Sequence, residues 1–264
     1  MHIHPLDTFQ PRESVVHELD ARVKLVTALL LIIATALTPD GAWIAYILIW
    51  LLILAIVFAS RLGVIPVLRR SLIALPFTLA ALPILFSTPG DALLVIPMFS
   101  RRLALSGAGL VRFSSILLKS WFSVQVAVVL TGSTSFPLLL QAMRSLRMPK
   151  VLVAVAGFTY RYIFVIADET MRLMRARSAR SAAYNGKGGR SVLWRASVTG
   201  NMAGSMFLRS LERSERIYAA MVSRGYNGEI RSLSAPELGV SDVLLCLPVV
   251  AALVLIQVMA RLWL

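Results

Sequence analysis

The chain is built from long apolar runs separated by short polar breaks. A helix needs about 20 apolar residues to cross the hydrocarbon core of a bilayer. The first run, Leu25 to Leu37, is short, but Val23 and the aliphatic stem of Lys24 extend it. Thr38-Pro39-Asp40-Gly41 follows as a turn. The second run, Ala42 to Ala59, is 18 residues without a charge. Trp43, Tyr46 and Trp50 crowd its first half, as an interfacial aromatic belt does. The third, Leu72 to Phe86, contains Pro76 and Pro83, which membrane helices tolerate when neighbours satisfy the freed carbonyls. The fourth covers Phe113 to Leu130 and carries Lys119; the fifth runs from Val243 to Ala260 with Pro248 near its start. A sixth stretch, Val151 to Ala167, includes Arg161 and is read as either embedded or interfacial. The pattern predicts an all-α, polytopic membrane protein with about five spans, four or six being the neighbouring counts.

Charge sharpens this picture. The chain of 264 residues is 58% hydrophobic with a mean hydropathy of +0.77, yet carries a net charge of +14. Such hydrophobicity excludes a disordered chain, and the single cysteine, Cys246, excludes a disulfide scaffold. Residues 133–240 hold 16 Lys+Arg against 6 Asp+Glu, so +10 of the +14 lies in one segment between the fourth and fifth spans. The bias of Lys and Arg toward cytoplasmic loops places this segment inside, with the N-terminus inside and the C-terminus outside. Asp40 suits an outer loop, and Arg61, Arg69 and Arg70 suit an inner one. Arg101, Arg102 and Arg112, after the third span, run against the rule. The first 22 residues are polar and mixed in charge and do not read as a secretory signal. The expected organisation is a membrane region over 1–132 with four spans, a basic helical module over 133–240, and a last transmembrane helix over 241–264.

Within the module Phe207, Leu208, Leu211, Ile217, Tyr218, Met221 and Val222 recur at helical spacing, and Glu212 with Arg216 forms an i, i+4 pair. Tyr160 to Arg180 shows a similar helical pattern, with Asp168-Glu169 ahead of a run of arginines, and Gly186-Lys187-Gly188-Gly189 breaks the chain between the two helices. Two stretches echo each other: Ala179-Arg180-Ser181, leading to Tyr184-Asn185-Gly186, and Ser223-Arg224-Gly225, leading to Tyr226-Asn227-Gly228. Each sets an arginine between small residues at a helix end. The planar five-donor guanidinium suits carboxylates and carbonyls on a partner, small neighbours allow close approach, and Gly or Asn stops the helix in a left-handed turn. Offsetting the helix dipole is the competing use of such arginines. Ala176-Arg177-Ser178 repeats the triplet three residues upstream, so Arg177 competes with Arg180.

These residues resemble the transmembrane T subunit of energy-coupling factor transporters, importers of vitamins and transition-metal ions related to ABC transporters. The resemblance rests on Ser14-Val15-Val16-His17-Glu18-Leu19-Asp20-Ala21-Arg22-Val23-Lys24-Leu25 before the first span, on Phe158 through Glu169 and Arg172 to Ala179-Arg180-Ser181, and on Arg213-Ser214-Glu215-Arg216-Ile217-Tyr218-Ala219-Ala220-Met221-Val222-Ser223-Arg224-Gly225-Tyr226. It implies that Arg180 and Arg224, each within a small-Arg-small motif ending a coupling helix, insert into grooves on two ATP-binding cassette ATPase subunits. It further implies that motion passes to a separate substrate-binding membrane subunit, with a small accessory membrane subunit as a further partner. Ser181 and Ser223 depart from the commonest residues of the motifs but remain small. The N-terminal block and the length resemble the cobalt/nickel branch, which favours cobalt with nickel close behind. ATP and Mg would be held by the partner ATPases, and the setting would be a bacterial or archaeal cytoplasmic membrane.

The chain itself lacks a P-loop, since Lys187 is followed by glycine and the preceding glycine is missing. The histidines are His2, His4 and His17, and His2 with His4 lacks further soft or imidazole ligands nearby, so no metal site is expected. Lys119 and Arg161 either line a pathway or snorkel and pair across helices. A membrane enzyme acting on lipid would need clustered His, Asp or Glu, and only Asp168-Glu169 is offered. An electrostatic anchor for nucleic acid or anionic lipid would not need two matched arginine motifs, so no nucleic-acid partner is expected.

Overall fold

In the computed structural model, which describes residues 9–89, 92–98, 101–180, 192–228 and 239–262, the chain forms two compact units. One comprises the described residues up to 146 together with 239–262; the other comprises those from 147 to 228.

The first unit opens with α1 (Val15–Glu18) and α2 (Ala21–Leu37). Ser14 caps α1 by accepting from the His17 N–H, and Asp20 caps α2 by accepting from the Arg22 N–H at 2.7 Å. The sequence block before the first apolar run is thus a pair of helix starts. α3 (Trp43–Ala59) returns antiparallel, and α4 (Val64–Ser71), α5 (Leu75–Thr78) and α6 (Ile84–Ser87) make an interrupted third pass with 3₁₀ turns at Leu72–Ala74 and Leu79–Ala81. The pass bends by 42°. Pro76 and Pro83 account for the interruption, because proline removes a backbone donor and crowds the preceding turn. An antiparallel hairpin, β1 (Ala92–Met98) with β2 (Arg101–Ser106), follows. It adds one small sheet to an otherwise helical architecture, in a segment that apolar periodicity did not distinguish.

α7 (Gly107–Ser133) is the long fourth pass, and α8 (Phe136–Ser145) ends the first part of the unit. α11 (Val240–Leu262) completes it, and α9 (Lys150–Arg180) and α10 (Val192–Ser223) form the second unit. Gly109 lets α7 start against α6: a Cβ there would lie 2.7 Å from the Leu85 carbonyl oxygen.

The core of the first unit gathers Leu31, Tyr46, Ile49, Ile53, Val57, Phe122, Val126, Val129 and Ile256. Trp50 stacks on Trp121 with ring centroids 6.5 Å apart, and the Trp121 indole N–H donates to Ser71 Oγ at 2.8 Å. At one end Lys24 Nζ donates to Ser133 O, joining the start of α2 to the end of α7. At the other, Lys119 Nζ meets Asp40 at 2.7 Å and Gln257 Nε2 donates to Thr38 Oγ1 at 2.9 Å. The passes α2, α3, α4–α6, α7 and α11 therefore alternate in direction, while three helices among the described residues, or four with the bent pair, are long and apolar enough to cross a membrane, so the expected count of about five is approximate.

By length and apolarity Gly107–Ser133, Lys150–Arg180 and Ser241–Leu262 can each cross a membrane, and Val64–Ala74 with Leu79–Ser87 can do so as one bent span. Trp43–Ala59 is apolar but shorter. The 151–167 stretch is thus the apolar half of one continuous helix. The protein is a multi-pass membrane protein. Many exposed large apolar side chains, among them Ile47 at 58% and Leu255 at 61%, suit lipid contact.

Candidate functional site

The second unit carries both arginine motifs. α9 and α10 run antiparallel. Glu169 on α9 meets Arg209 at 3.5 Å and Arg213 at 3.9 Å on α10, Thr170 Oγ1 donates to Met206 Sδ at 3.3 Å, and Arg177 donates to Thr199 Oγ1 at 3.0 Å. Glu169 also holds Arg172, one turn along its own helix, at 3.4 Å. One carboxylate, with its side chain 22% exposed, is therefore shared by three guanidinium groups and fastens the two helices together. The resemblance included Glu169 without giving it a use, and the sequence offered no signal that its partners lie forty residues away.

The packed stripe of α10 is Met202, Met206, Ser210, Arg213, Ile217 and Met221, all half-buried. The apolar face expected from periodicity is split by this arrangement. Ile217 and Met221 join the stripe, whereas Phe207, Leu208, Leu211, Tyr218 and Val222 are exposed. Periodicity finds a helix but does not separate its two apolar faces when both are rich in large side chains.

Arg224 ends α10 through a complete C-terminal cap. The Gly225 N–H donates to Val222 O at 2.9 Å and the Tyr226 N–H to Met221 O at 3.0 Å, while Gly225 takes φ +80. This is the Schellman arrangement, in which a left-handed residue turns the chain and satisfies the last carbonyls. Gly228 repeats the positive φ at +90. Arg224 is fixed in its backbone by the cap and is exposed, as are its neighbours Ser223 and Gly225. Arg180 is the last residue of α9 and is exposed beside exposed Ala179. Ser181 and the Tyr184-Asn185-Gly186 turn lie outside the described residues.

The two candidates for the first arginine differ in geometry. Arg177 is half-buried and engaged on α10, whereas Arg180 makes no hydrogen bond or ion pair among the described residues. Counting 1.5 Å per residue outward from the crossing near Glu169–Arg177, the Arg180 and Arg224 ends lie roughly 30–40 Å apart, at opposite ends of the helix pair.

In the first unit Lys119 is an ion-pair partner of Asp40, which also draws Arg112 to 3.8 Å. Two basic residues near the end that runs against the charge rule are thus locally balanced. The N-terminal block forms a clasp. His17 Nδ1 shares a hydrogen bond with Ser14 Oγ at 2.7 Å, His17 Nε2 contacts Gln10 O at 3.0 Å, and the Gln10 N–H donates to Gly132 O at 3.1 Å. Burial, reinforced by the nearby positive charges of Lys24 and Arg12, lowers the His17 pKa, against hydrogen bonding to the Gln10 carbonyl, which raises it. No group of three or more His, Cys, Asp or Glu is placed to hold a metal among the described residues, and His2 and His4 lie outside them.

Comparison with known proteins places these features in a family. The profile of the family described as cobalt transport protein (CbiQ) matches residues 12–234. The chain is 32% identical over 237 residues to the energy-coupling factor transporter transmembrane protein EcfT of Thermanaerovibrio acidaminovorans, covering 85% of this chain and 84% of that one. It is 27% identical over 226 residues to EcfT of Lactobacillus helveticus, covering 83% and 79%. It is 27% identical over 155 residues to the cobalt transport protein CbiQ of Rhodobacter capsulatus, covering 59% and 61%.

Proposed function

This chain belongs to the cobalt transport protein family, and on that premise we propose that it is the transmembrane coupling subunit of an energy-coupling factor importer for cobalt. It takes up motion from two ATP-binding cassette ATPase subunits at Arg180 and Arg224 and passes it to a separate substrate-binding membrane subunit. ATP and Mg belong to the ATPases, and this chain does no chemistry of its own.

The observation that carries this reading is the placement of the two arginines. Each sits exposed at the C-terminal end of a long helix, and the two ends point away from each other across one fastened pair. One groove could not receive both tips at a spacing of roughly 30–40 Å. Two grooves on two subunits suit them. The Glu169 clasp makes the pair a lever rather than two independent helices. Arg177, held on Thr199, takes a supporting part.

Orientation follows from charge. Residues 133–240 carry a net +10, and the positive-inside bias sets this module and the N-terminus in the cytoplasm, where ATP is found. The choice of cobalt rests on the family and on the name of the R. capsulatus relative, since the EcfT names specify no metal.

The test is uptake of radioactive cobalt, with nickel as competitor, by cells expressing the full transporter. Arg180→Ala and Arg224→Ala each reduce uptake, and the double variant abolishes it while the protein still inserts. Arg177→Ala has the smaller effect. ATPase subunits co-purify with the wild-type chain in mild detergent and are lost from the double variant. Uptake near wild type in the double variant refutes the coupling role, and preference for nickel refutes the metal assignment alone.

A further inference from the structure

The first unit contains a cavity of about 340 Å³ between α1, α2, α3, α7 and α11. Its volume lies in the range of small-molecule sites. The walls are apolar: Leu31, Leu52, Ile56, Val126, Leu130 and Val249 are typical. Lys24 is the one charged residue in the lining, and it is only 7% exposed.

An ammonium group has three donors. Lys24 Nζ gives one to His17 O at 3.2 Å and one to Ser133 O at 3.4 Å, leaving the third without a partner among the described residues. Asp20 and Asp242 act on it only from beyond ion-pair distance. A buried cation with an unused donor, set in an apolar cavity, complements a ligand with an anionic head and a hydrocarbon tail.

The polarity of the cavity fixes how such a ligand lies. Lys24 shares one end with Leu19 and Ser133, where α2 begins and α7 ends, and Leu31 and Val249 lie deeper. From Lys24 to Leu31 the helix rises about 10 Å. A single leaflet of hydrocarbon is about 15 Å deep, half of the bilayer core. The depth thus suits an acyl chain entering from one leaflet with its head at the interface.

We propose that this cavity binds one anionic phospholipid, with the headgroup phosphate on Lys24 and an acyl chain between α2, α3, α7 and α11. The site is independent of the arginine tips. The bound lipid sets the packing of α2, α3, α7 and α11.

Cys246 lines the cavity and is the only cysteine in the chain, so its alkylation reports occupancy. The purified full chain is placed in nanodiscs of phosphatidylcholine alone or with phosphatidylglycerol, and its reaction with N-ethylmaleimide is followed by intact mass. Phosphatidylglycerol should slow alkylation about tenfold, as saturating occupancy protects by one plus the ratio of ligand to Kd. Lys24→Arg keeps this protection, and Lys24→Met removes it. In native mass spectrometry wild type retains one phosphatidylglycerol, and Ala55→Phe, which fills the cavity from an exposed lining position, retains none. Ala55→Phe leaves Lys24 intact and so guards against a fold defect caused by losing the cation.

Equal rates in the two compositions, whether both fast or both slow, overturn the proposal; both slow means that the chain itself or a second copy covers the cavity. So does protection that survives Lys24→Met, retention of phosphatidylcholine as firmly as phosphatidylglycerol, or a free fatty acid in place of the phospholipid.

Discussion

Replacing Gly225 separates the shape of the second arginine tip from its charge. Gly225 takes φ +80, and a Cβ built there meets nothing within 4 Å. The penalty for alanine is therefore purely conformational, about 1–2 kcal/mol for a left-handed L-residue. The cap gains two hydrogen bonds, Gly225 N–H to Val222 O and Tyr226 N–H to Met221 O, each contributing about 1 kcal/mol net. The penalty is comparable with the whole contribution of the cap, so the helix end should open in a large share of molecules. One to two kcal/mol corresponds to roughly a 5–30-fold shift in population. Arg224 stays present and charged but loses its fixed backbone position. Asparagine tolerates the left-handed region and should behave nearly as glycine, whereas valine should be worse than alanine. The assay is the affinity of purified ATPase subunits for the chain in detergent, with cobalt uptake in parallel. The expected order is Gly, Asn, Ala, Val, with a loss of about 5–30-fold in affinity at alanine. Equal affinity for valine and glycine refutes the argument that the cap positions Arg224. A loss at asparagine as large as at valine also refutes it, because side-chain bulk would then matter in a place where the cap argument needs open space.

The Glu169 clasp predicts that Glu169→Gln loosens α9 from α10. Its two interhelical pairs join it to exposed Arg209 and half-buried Arg213, and the Arg209 pair contributes about 0.2–1 kcal/mol; a double-mutant cycle with Arg209→Ala read by thermal unfolding should give a coupling in that range that shrinks at high salt. Asp40→Asn leaves Lys119 and Arg112 without their carboxylate and should lower thermal stability by about 1 kcal/mol; no loss would mean that Lys119 is held by other groups. Gly109→Ala forces a Cβ to 2.7 Å from a backbone carbonyl and should reduce folded yield, as overpacking costs about 1–3 kcal/mol. His17 predicts a pH dependence. Its folded pKa is below the ordinary value near 6.5, so as pH falls the unfolded chain takes up the proton first. Stability is full above about 6.5 and declines as pH falls through the window below it, and His17→Gln should flatten that part of the profile.

The membrane architecture was legible because apolar runs need no partner to be recognised. Ala42 to Ala59 became α3 almost residue for residue, and Val243 to Ala260 lies within the longer α11. What the sequence concealed was pairing between distant residues. Lys119 and Asp40 are 79 positions apart and neither announces the other, so the sequence leaves a pathway role open where the fold has an ion pair. Glu169 likewise finds Arg209 and Arg213 only once α9 and α10 fold back on each other. The hairpin at Ala92–Ser106 follows directly on the apolar third run, and no alternation of apolar and polar residues sets it apart. Lys24 shows the same limit inside the membrane region. In sequence it extends a short apolar run by snorkelling, yet in the fold it is buried and bonded to two carbonyls.

The arginine echo also changes meaning in three dimensions. Two similar motifs in sequence suggest two similar contacts, but spacing along the chain says nothing about direction. An antiparallel pair turns two helix C-termini outward in opposite senses, whereas a parallel pair would set both tips side by side. Only the antiparallel case lets one fastened pair span two separate grooves. The direction is set by residues outside both motifs, namely Glu169, Thr170 and Arg177 on α9 against Arg213, Arg209, Met206 and Thr199 on α10. On the proposed coupling role, these contacts are what join the Arg224 end of α10 to the Arg180 end of α9. Loosening the clasp should uncouple the two tips even when both arginines are intact, which distinguishes a lever from two independent plugs.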